Sequence, residues 1–479
     1  MNRPPQYFHF LGVCGTAMGA VAAALRERGC TVTGSDEKVY PPMSDFLRAR
    51  GVTLCEPYQA ANLPENPDAV VVVGNAIKRG NPEVEAVLNR KLYCLSLPEV
   101  LKEYFLRGRH NLVVSGTHGK TTTTALLTWM LTVGELEPSY MIGGLPRNLG
   151  QGAFFNDSRY FVIEGDEYDT ALFDKRSKFI HYLPELLVIN NIEFDHADIF
   201  PDLAAVKLSF RRLVNIVPQN GMILLNGDDA NCIEVVRECL APLVEVGFSK
   251  NCAERIRDVS YTTNGSHFIL GETRFDSPLV GEFNVRNAAM AAVAARFYGL
   301  TPDVIQTALT SFEGIARRQE VRGRERGVTV IDDFGHHPTA IRETLSALRR
   351  RYPGQRLWAI FEPRSNTTRR AVFQQQLPEA LQLADGVFIS QVAALEQVPA
   401  EQRLHPEAVV AAIAEAGRVA FYERDATAIV ERIVPLLQPN DVVAIFSNGG
   451  FDGIHEKLLG ALRAGNEPRN TGESRLVKS

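Results

Sequence analysis

Residues 113–123 read Val113-Val114-Ser115-Gly116-Thr117-His118-Gly119-Lys120-Thr121-Thr122-Thr123. An apolar strand runs there into a glycine-punctuated turn that ends in Gly-Lys-Thr, a pattern typical of a phosphate-binding loop. In such a loop, glycines let backbone N–H groups approach a polyphosphate, the lysine reaches the β- and γ-phosphates, and the threonine hydroxyl ligates Mg²⁺. The general pattern has its first glycine at the position of Val114, so this loop is tighter than usual. The stretch predicts an α/β fold that binds ATP through Gly116, Thr117, His118, Gly119, Lys120, Thr121 and Thr122.

The composition of the chain is that of an ordinary globular protein. Its 479 residues are 45% hydrophobic and 22% charged, with a net charge of -5. This length predicts about three domains, and the slight acidity does not favour a nucleic-acid partner. Seven scattered cysteines and no long apolar run predict a cytoplasmic protein that neither depends on disulfides nor crosses a membrane. We expect a monomer or a weak homo-oligomer.

The first segment, 1–107, alternates short apolar runs with helical patterns, which indicates βαβ units and a parallel sheet. Its first turn is rich in glycine and is followed, after the next apolar run, by an acidic residue. The glycine spacing is Gly-x-x-Gly-x-x-x-Gly, which departs from the dinucleotide-binding pattern, so it marks a nucleotide site without favouring NAD. The residues that carry this interpretation are Gly12, Cys14, Gly15, Thr16, Ala17, Met18, Ser35 and Asp36.

The second segment, 108–315, contains polar residues directly after two apolar strands. Glu164 follows one strand, and residues 190–196 follow the other. Ligands of open α/β sheets lie beyond the carboxyl ends of the strands, so both groups should converge near the loop. Glu164 and His196 are therefore candidate metal ligands beside the Thr121 hydroxyl. The later carboxylates of the Glu164-Gly165-Asp166-Glu167 run fit a solvated acidic turn.

The third segment, 316–464, repeats the strand-then-loop pattern. Apolar runs lead into Asp332-Asp333, into Glu362-Pro363-Arg364 and into Ser447-Asn448. These polar strand ends predict a second ligand-facing edge of a sheet. Residues 465–479 are polar without an apolar face and predict a frayed tail. The fold prediction is thus α/β with three domains: Rossmann-like, P-loop ATPase-like and Rossmann-like.

Several motifs, taken in order, resemble those of the Mur ligase family. They are the loop at 116–123, the acidic run at 164–167, and the segments 191–196, 283–288, 317–320 and 332–338. The resemblance extends from Tyr7 to Leu462. It implies an ATP- and Mg²⁺-dependent ligase that forms a C–N bond through an acyl phosphate. It also implies that the first domain binds UDP-N-acetylmuramate, for which Asn75 and Ala76 are further candidates.

The resemblance assigns roles to individual side chains. Lys120 and Thr121 would hold phosphate and metal, and Glu164 and His196 would complete the metal site. Asn284 and Asn287 would contact ATP, as would Arg318 and Asp333 from the third domain. Arg317-Arg318 would otherwise be a solvated charge pair at a domain junction, but in phosphoryl transfer it fits an arginine-finger role. Other branches of the family use a carbamylated lysine where this chain has Phe210, so no carbamate is expected at that place.

The loops 169–179, 362–367 and 447–455 are similar to those of the branch that adds a recycled tripeptide, L-alanyl-γ-D-glutamyl-meso-diaminopimelate, in peptidoglycan recycling. Arg364 is the candidate carboxylate clamp, because a guanidinium matches a carboxylate bidentately. Ser365, Asn366 and Thr367 are candidate neutral partners of the peptide. Three alternatives stay open: a ligase that adds L-alanine, a P-loop ATPase switch and a nicotinamide oxidoreductase.

Overall fold

The phosphate-binding loop follows a central strand of a large mixed sheet in the computed structural model, which describes residues 6–464. The chain forms two compact units. The first contains most residues up to Ile315, and the second contains the residues from Ala316 onward together with the short segments 261–265 and 280–282. The predicted polar tail at 465–479 lies outside the described residues.

The first segment forms a parallel five-stranded sheet with the strand order β3-β2-β1-β4-β5. This is the order of a Rossmann-like half, with a switch point between β1 and β4 at which ligands bind in such sheets. The βαβ prediction is confirmed. The elements are β1 (Tyr7–Leu11), α1 (Thr16–Glu27), β2 (Thr31–Ser35), α2 (Met43–Ala49), β3 (Thr53–Cys55), β4 (Val70–Val73), α3 (Pro82–Arg90), β5 (Cys94–Ser96) and α4 (Leu97–Leu101).

The rest of the first unit is built on a ten-stranded sheet with the order β17-β16-β15-β14-β13-β12-β6-β9-β7-β8. Strand β6 pairs in parallel with β12 and β9, so the loop after β6 lies between the ends of two neighbouring strands. The elements are β6 (His110–Ser115), α5 (Lys120–Val133), β7 (Ser139–Met141), β8 (Ala153–Phe154), β9 (Tyr160–Gly165), β10 (Asp169–Ala171), β11 (Asp174–Ser177), β12 (Leu186–Ile189), α6 (Leu203–Val214), β13 (Met222–Asn226), α7 (Ala230–Val235), β14 (Leu243–Gly247), β15 (Glu254–Thr262), β16 (Gly265–Leu270), β17 (Thr273–Ser277), α8 (Glu282–Phe297) and α9 (Pro302–Thr310).

The second unit has a six-stranded sheet with the order β18-β19-β23-β20-β21-β22, in which β18 is antiparallel to β19 and the other pairs are parallel. The strand-then-loop prediction for this segment is confirmed. The elements are β18 (Glu320–Glu325), β19 (Val328–Asp333), α10 (Pro338–Arg351), β20 (Leu357–Phe361), α11 (Gln376–Leu381), β21 (Gly386–Ser390), α12 (Pro406–Glu415), β22 (Val419–Glu423), α13 (Ala426–Ile433), β23 (Val442–Phe446) and α14 (Ile454–Ala464).

Helices cover both faces of this second sheet, because alternate side chains of its strands enter two separate cores. Phe361 of β20 belongs to the core that includes Leu345 of α10. Its neighbour Ile360 belongs to the core that includes Ile429 of α13 and Leu458 of α14. Each such fully buried side chain contributes about 1.5–3 kcal/mol. Continuous apolar strands such as 357–361 are therefore the expected pattern of a doubly covered parallel sheet.

Two strands run further than the sequence predicts. Glu164 was expected directly after a strand, yet it pairs with Val114 inside β9. Asp332 and Asp333 likewise belong to β19 and pair with residues of β23. The apolar pattern that marks a strand stops before these polar residues, but the backbone pairing with the neighbouring strands continues through them. The strands therefore extend to the edge of the sheet at which ligands of parallel sheets bind.

The helices of the described residues are of ordinary length. The longest, α8, has 16 residues, whereas a bilayer crossing needs about 20 mostly apolar residues. Within residues 6–464, no helix has both the length and the apolar character for a membrane span.

Candidate active site

The phosphate-binding loop depends on two glycines with positive φ. Gly116 has a φ of +132°, and a Cβ there would lie 3.0 Å from backbone atoms of Asn190 and Asn191. Gly119 has a φ of +78° and immediately precedes α5. The loop therefore ends at a helix N-terminus whose backbone N–H groups face away from the helix, as a polyphosphate site requires. These features fit ATP.

Lys120 is buried, and its ammonium already has partners within the first unit. Its Nζ donates to the Gly116 carbonyl at 2.7 Å and lies 2.9 Å from Glu167 Oε2. Burial alone would lower the pKa of Lys120, but the negative charges of Glu167, Asp166 and Glu164 outweigh burial and raise it. The lysine therefore stays charged inside the loop.

Glu167 is a site residue that the sequence analysis missed. We interpreted the later carboxylates of the acidic run as a solvated turn, yet Glu167 is only 2% exposed and contacts both Lys120 and His196. Its pKa is lowered to about 2, because the charge of Lys120 and the bond to His196 outweigh the effect of burial. The interpretation was wrong for Glu167. Nothing in the local sequence indicates this burial, which depends on contacts with Lys120 and His196 that are distant along the chain.

Glu164 and Thr121 lie together as predicted. Glu164 Oε1 accepts a hydrogen bond from the Thr121 hydroxyl at 2.9 Å, and Oε2 accepts one from Gly143 N at 2.7 Å. Burial and the nearby Asp166 raise the pKa of Glu164. A shielded carboxylate beside a hydroxyl and a second acidic residue fits a hard divalent cation such as Mg²⁺, which prefers oxygen ligands.

His196, the third predicted metal ligand, contacts Glu167, whereas the other two, Thr121 and Glu164, contact each other. Its Nε2 lies 3.1 Å from Glu167 Oε1. Burial lowers the pKa of His196, but the hydrogen bond and charge of Glu167 prevail and raise it. Glu167 thus links Lys120 of the loop to His196, an arrangement in which a carboxylate orients an imidazole.

The residues after β12 hold the loop from the other side, as the polar strand end predicts. Asn191 Oδ1 accepts a hydrogen bond from His118 N at 2.7 Å, and Asn191 Nδ2 donates to His118 O at 3.0 Å. Asn190 Nδ2 donates to the Thr123 hydroxyl at 2.9 Å. Neither asparagine was among the predicted site residues, although the segment that contains them was expected to approach the loop.

Asn284 and Asn287 lie one turn apart on α8, and both are buried. Asn287 Nδ2 lies 3.4 Å from Asn284 Oδ1. A Cβ at Gly119 would be only 2.5 Å from Asn287 Oδ1. The fold thus brings Asn287 against the phosphate-binding loop.

Replacing Gly119 with Ala should weaken ATP binding. The new Cβ would meet Asn287 Oδ1 at 2.5 Å and Asn190 Nδ2 at 3.0 Å, so the loop must shift. We expect the KM for ATP to rise about tenfold, because small displacements of a binding loop are costly. Gly299→Ala is the matched control, since Gly299 has a φ of +86° and a Cβ there meets nothing within 4 Å. Both variants should lose about 1 kcal/mol of stability. An unchanged KM in Gly119→Ala would refute this role of the glycine.

The loops after β1 and β2 meet in the first segment. Gly12 N donates to Ser35 O at 2.8 Å, and Cys14 N donates to Asp36 Oδ2 at 2.9 Å. Gly15 and Thr16 are exposed at the start of α1, while Ala17 is half-buried and Met18 is buried; Asn75 and Ala76 are exposed after β4. The Ser35 side chain differs from this group, because it is fully buried with its Oγ 3.2 Å from His9 Nε2. A contact of the Ser35 hydroxyl with a ligand is therefore disfavoured.

The Asp333 carboxylate binds two backbone N–H groups near the start of the second unit. Its Oδ2 accepts a hydrogen bond from Gln319 N at 2.9 Å, and its Oδ1 accepts one from Gly335 N at 2.8 Å. Burial raises the pKa of Asp333, although the charge of Arg318 opposes this. The Arg318 guanidinium lies 5.0 Å from the centre of the Phe334 ring.

The neighbouring Arg317 has a structural role. One of its amino groups donates to Ser447 O at 2.6 Å and to Gly449 O at 2.7 Å, and its Nε lies 3.3 Å from Asp332 Oδ2. Arg317-Arg318 was predicted as a pair for the arginine-finger role. These contacts give the Arg317 guanidinium a structural role, and the role of Arg318 stays a prediction.

Arg317→Met should destabilise the second unit by about 2 kcal/mol, because it removes charged hydrogen bonds to two carbonyls and a partner of the buried Asp332. Urea denaturation, followed by circular dichroism, measures this loss. Arg424→Met is the control, because the Arg424 side chain is 74% exposed and its Nε lies 3.3 Å from Asp425 Oδ2; it should change the free energy of unfolding by less than about 0.5 kcal/mol. Equal losses in the two variants would contradict the structural role of Arg317.

The candidate peptide residues differ in their exposure. Arg364 is exposed, lies 3.5 Å from Glu362 Oε1, and packs so closely on Gly449 that a Cβ there would be 2.5 Å from its Nε. Asn366 is also exposed. Ser365 Oγ bonds with the Thr368 hydroxyl at 2.9 Å, and Thr367 is 1% exposed. Arg364 and Asn366 therefore remain the better placed of the four for contact with a peptide.

Phe210, for which the resemblance implies no carbamate, belongs to the core of the first unit. Its ring centroid lies 5.5 Å from that of Phe179, and it has no amine to modify. The nearby Lys207 pairs with Glu234 Oε2 at 2.7 Å.

Comparisons with known proteins agree with this architecture. Three family models match successive parts of the chain: the Mur ligase family catalytic domain at 7–109, the Mur ligase middle domain at 114–295, and the Mur ligase glutamate ligase domain at 317–449. The UDP-N-acetylmuramate–L-alanyl-γ-D-glutamyl-meso-2,6-diaminoheptandioate ligase of Escherichia coli is 44% identical over 95% of this chain and 98% of its own length. The chain belongs to the Mur ligase family, which confirms the resemblance and the three-domain α/β prediction.

Two further known proteins are similar to this chain at lower sequence identity. A solved murein peptide ligase from Psychrobacter arcticus is 34% identical, with a TM-score of 0.70 over 96% of this chain and 99% of that one. A UDP-N-acetylmuramate–L-alanine ligase from Solibacter usitatus is 31% identical over 96% of this chain and 96% of its own length. In sequence identity, the chain is thus more similar to the Escherichia coli tripeptide ligase than to this L-alanine ligase.

Proposed function

We propose that this protein is an ATP-dependent ligase that joins UDP-N-acetylmuramate to L-alanyl-γ-D-glutamyl-meso-diaminopimelate. The observation that carries the choice of acceptor is the identity of 44% to the Escherichia coli tripeptide ligase, against 31% to the L-alanine ligase. The geometry supports the use of ATP, because Lys120, Thr121 and Glu164 meet at a phosphate-binding loop.

The proposed reaction activates a carboxylate before it forms the amide. The lactyl carboxylate of the muramate would attack the γ-phosphate of ATP, which gives an acyl phosphate and ADP. The amine of the peptide would then attack the acyl carbon and release phosphate. The protein's part is to position the reactants and to stabilise the negative charge that develops on the transferred group.

Within the first unit, Lys120 supplies a buried positive charge that Glu167 holds within the loop. Thr121, Glu164 and His196 are the proposed ligands of Mg²⁺, which when bound would neutralise phosphate charge. Asn284 and Asn287 are proposed to contact ATP, and Arg318 and Asp333 remain proposed ATP-binding residues of the second unit.

The domain boundaries stay part of the proposal. We assign 1–107 to the UDP-N-acetylmuramate domain, with the loops after β1, β2 and β4 as its site. Residues 108–315 are assigned to ATP. Residues 316–464 are assigned to the peptide, with Arg364 as the carboxylate clamp.

Phosphate release from ATP and Mg²⁺ tests the proposal when UDP-N-acetylmuramate is offered with either the tripeptide or L-alanine. We expect release and a ligated product, identified by mass spectrometry, with the tripeptide. Product with L-alanine alone would show that the protein is instead a UDP-N-acetylmuramate–L-alanine ligase. Turnover of ATP without muramate would favour an ATPase switch. Addition of hydroxylamine should trap the acyl phosphate as a hydroxamate when the acceptor is left out.

A further inference from the structure

Tyr168 packs against the His196 imidazole. The centroids of the two rings are 4.1 Å apart, and their planes are inclined by 46°. Glu167, the preceding residue, contacts the same imidazole at Nε2, 3.1 Å away. Two consecutive residues therefore restrain the imidazole in different ways, Glu167 through a hydrogen bond and Tyr168 through a ring contact.

The backbone of His196 is itself held in a conformation that non-glycine residues rarely adopt, with a φ of +56°. His196 N donates to Asp195 Oδ1 at 2.7 Å, and His196 O accepts from Ile199 N and Phe200 N. These bonds fix the Cα–Cβ direction, but they leave rotation of the ring to side-chain contacts. A buried ring with a fixed backbone takes its orientation from the groups that touch it.

Tyr168 is anchored well enough to act as such a group. Its carbonyl accepts a hydrogen bond from Lys178 N at 2.9 Å, and the Lys178 ammonium lies 5.5 Å from the centre of its ring. The hairpin of β10 and β11 begins at the next residue and pairs Asp169 with Ser177. Tyr168 therefore lies directly before the first strand of the hairpin and is bonded to the residue that follows the second strand. The residue is 37% exposed, so its side chain can be replaced without disturbing a fully buried core.

We propose that Tyr168 is a positioning residue that holds the His196 imidazole with Nε2 toward Glu167, which leaves Nδ1 as the nitrogen presented to Mg²⁺. The inference rests on the proposed function for the metal, and it extends that function to a residue outside the metal ligands. The imidazole would carry its proton on Nε2, and this N–H would donate a hydrogen bond to Glu167. Metal-binding histidines commonly donate their other ring N–H to a carboxylate in this way.

The test compares Tyr168→Leu, which removes the ring, with Tyr168→Phe, which keeps it. We expect Tyr168→Leu to raise the Mg²⁺ concentration for half-maximal ligation about tenfold, as loss of an orienting partner does. The KM for the tripeptide should not change. Tyr168→Phe should behave as the wild type, because the contact uses the ring and not the hydroxyl.

A second readout needs neither metal nor activity. In protein labelled with ¹⁵N-histidine and held at alkaline pH, where the ring is neutral, the His196 signals, assigned by their absence in His196→Gln, should show the Nε2–H tautomer in the wild type and in Tyr168→Phe. In Tyr168→Leu they should show mixed tautomers. If Tyr168→Leu fails to fold by circular dichroism, Tyr168→Met replaces it with the same expectations.

An unchanged tautomer and an unchanged Mg²⁺ requirement in Tyr168→Leu would overturn the inference. Equal damage in Tyr168→Phe would also overturn it, because the hydroxyl would then be the active group. Failure of the wild type to ligate would instead reject the proposed function. The tautomer measurement would still decide whether Tyr168 positions His196.

Discussion

Lys120→Ala should lower the rate of ligation by about a thousandfold, as loss of a charge that stabilises phosphoryl transfer does. The buried ammonium of Lys120 donates to the Gly116 carbonyl and faces Glu167, so it already stands inside the phosphate-binding loop. The three residues that follow Lys120 are threonines, whose hydroxyls cannot supply a positive charge in its place. The measurement is kcat and the KM for ATP, with tripeptide and UDP-N-acetylmuramate at saturation.

Lys207→Ala is the matched control for Lys120→Ala. Lys207 also pairs with a glutamate, Glu234, but it lies on α6. Its removal should leave kcat unchanged within about twofold, as expected for a half-buried ion pair outside the loop. Ligation by Lys120→Ala within about tenfold of the wild-type rate would reject the loop as the ATP site.

Glu167→Gln should have the second largest effect, with kcat reduced about a hundredfold. Glutamine keeps the size of the side chain but removes the charge that faces both Lys120 and His196. Both of these groups would lose the carboxylate that orients them. The same change should lower the free energy of unfolding by about 3 kcal/mol at pH 7, because it leaves the Lys120 ammonium buried without its nearest counter-charge.

The loss of stability in Glu167→Gln should depend on pH. Interaction with Lys120 and His196 holds the pKa of Glu167 at about 2, below its ordinary value of 4.5. A carboxylate with a lowered pKa in the folded state stabilises the fold fully above the unfolded-state pKa, and this contribution is lost as the pH falls through the folded-state pKa. Glu167 also raises the pKa of His196, and the stability from that interaction is fully present below about pH 6.5 and lost as the pH rises through the folded-state pKa of His196. The difference between wild type and variant should therefore be largest near about pH 5 to 6 and shrink toward about pH 2. Urea denaturation at several pH values measures it.

Glu234→Gln is the control for Glu167→Gln, because it removes the same charge from a half-buried glutamate that pairs with Lys207 and Arg211. It should leave kcat unchanged and lower the free energy of unfolding by much less than Glu167→Gln does, with a correspondingly smaller pH dependence. A Glu167→Gln variant that matches Glu234→Gln in both measurements would show that Glu167 is a bystander.

The sequence predicted the parts of the site that lie next to each other along the chain. Lys120 and Thr121 follow a strand and a glycine turn, and this local pattern by itself indicates how their side chains face a phosphate. Glu164 was also predicted from a local pattern, because it directly follows an apolar run in the sequence. The strand that contains it, β9, pairs with β6, the strand that leads into the loop. The parallel sheets also followed from the sequence, because runs such as 357–361 are apolar at every position.

Other parts of the site could be recognised only in three dimensions. Glu167 has the composition of a solvated turn, and its burial depends on contacts with Lys120 and His196, which are far from it in sequence. Arg317 and Arg318 are neighbours of the same type, yet Arg317 is held by the carbonyls of Ser447 and Gly449.

The sequence by itself determined the α/β class, the order of the three segments and the phosphate-binding loop, because each depends on residues within a few positions of one another. The tertiary structure alone decided which charged side chains are buried and what faces them. The reason is physical: the free energy of a buried charge depends on its neighbours in space, and a sequence pattern does not specify those neighbours.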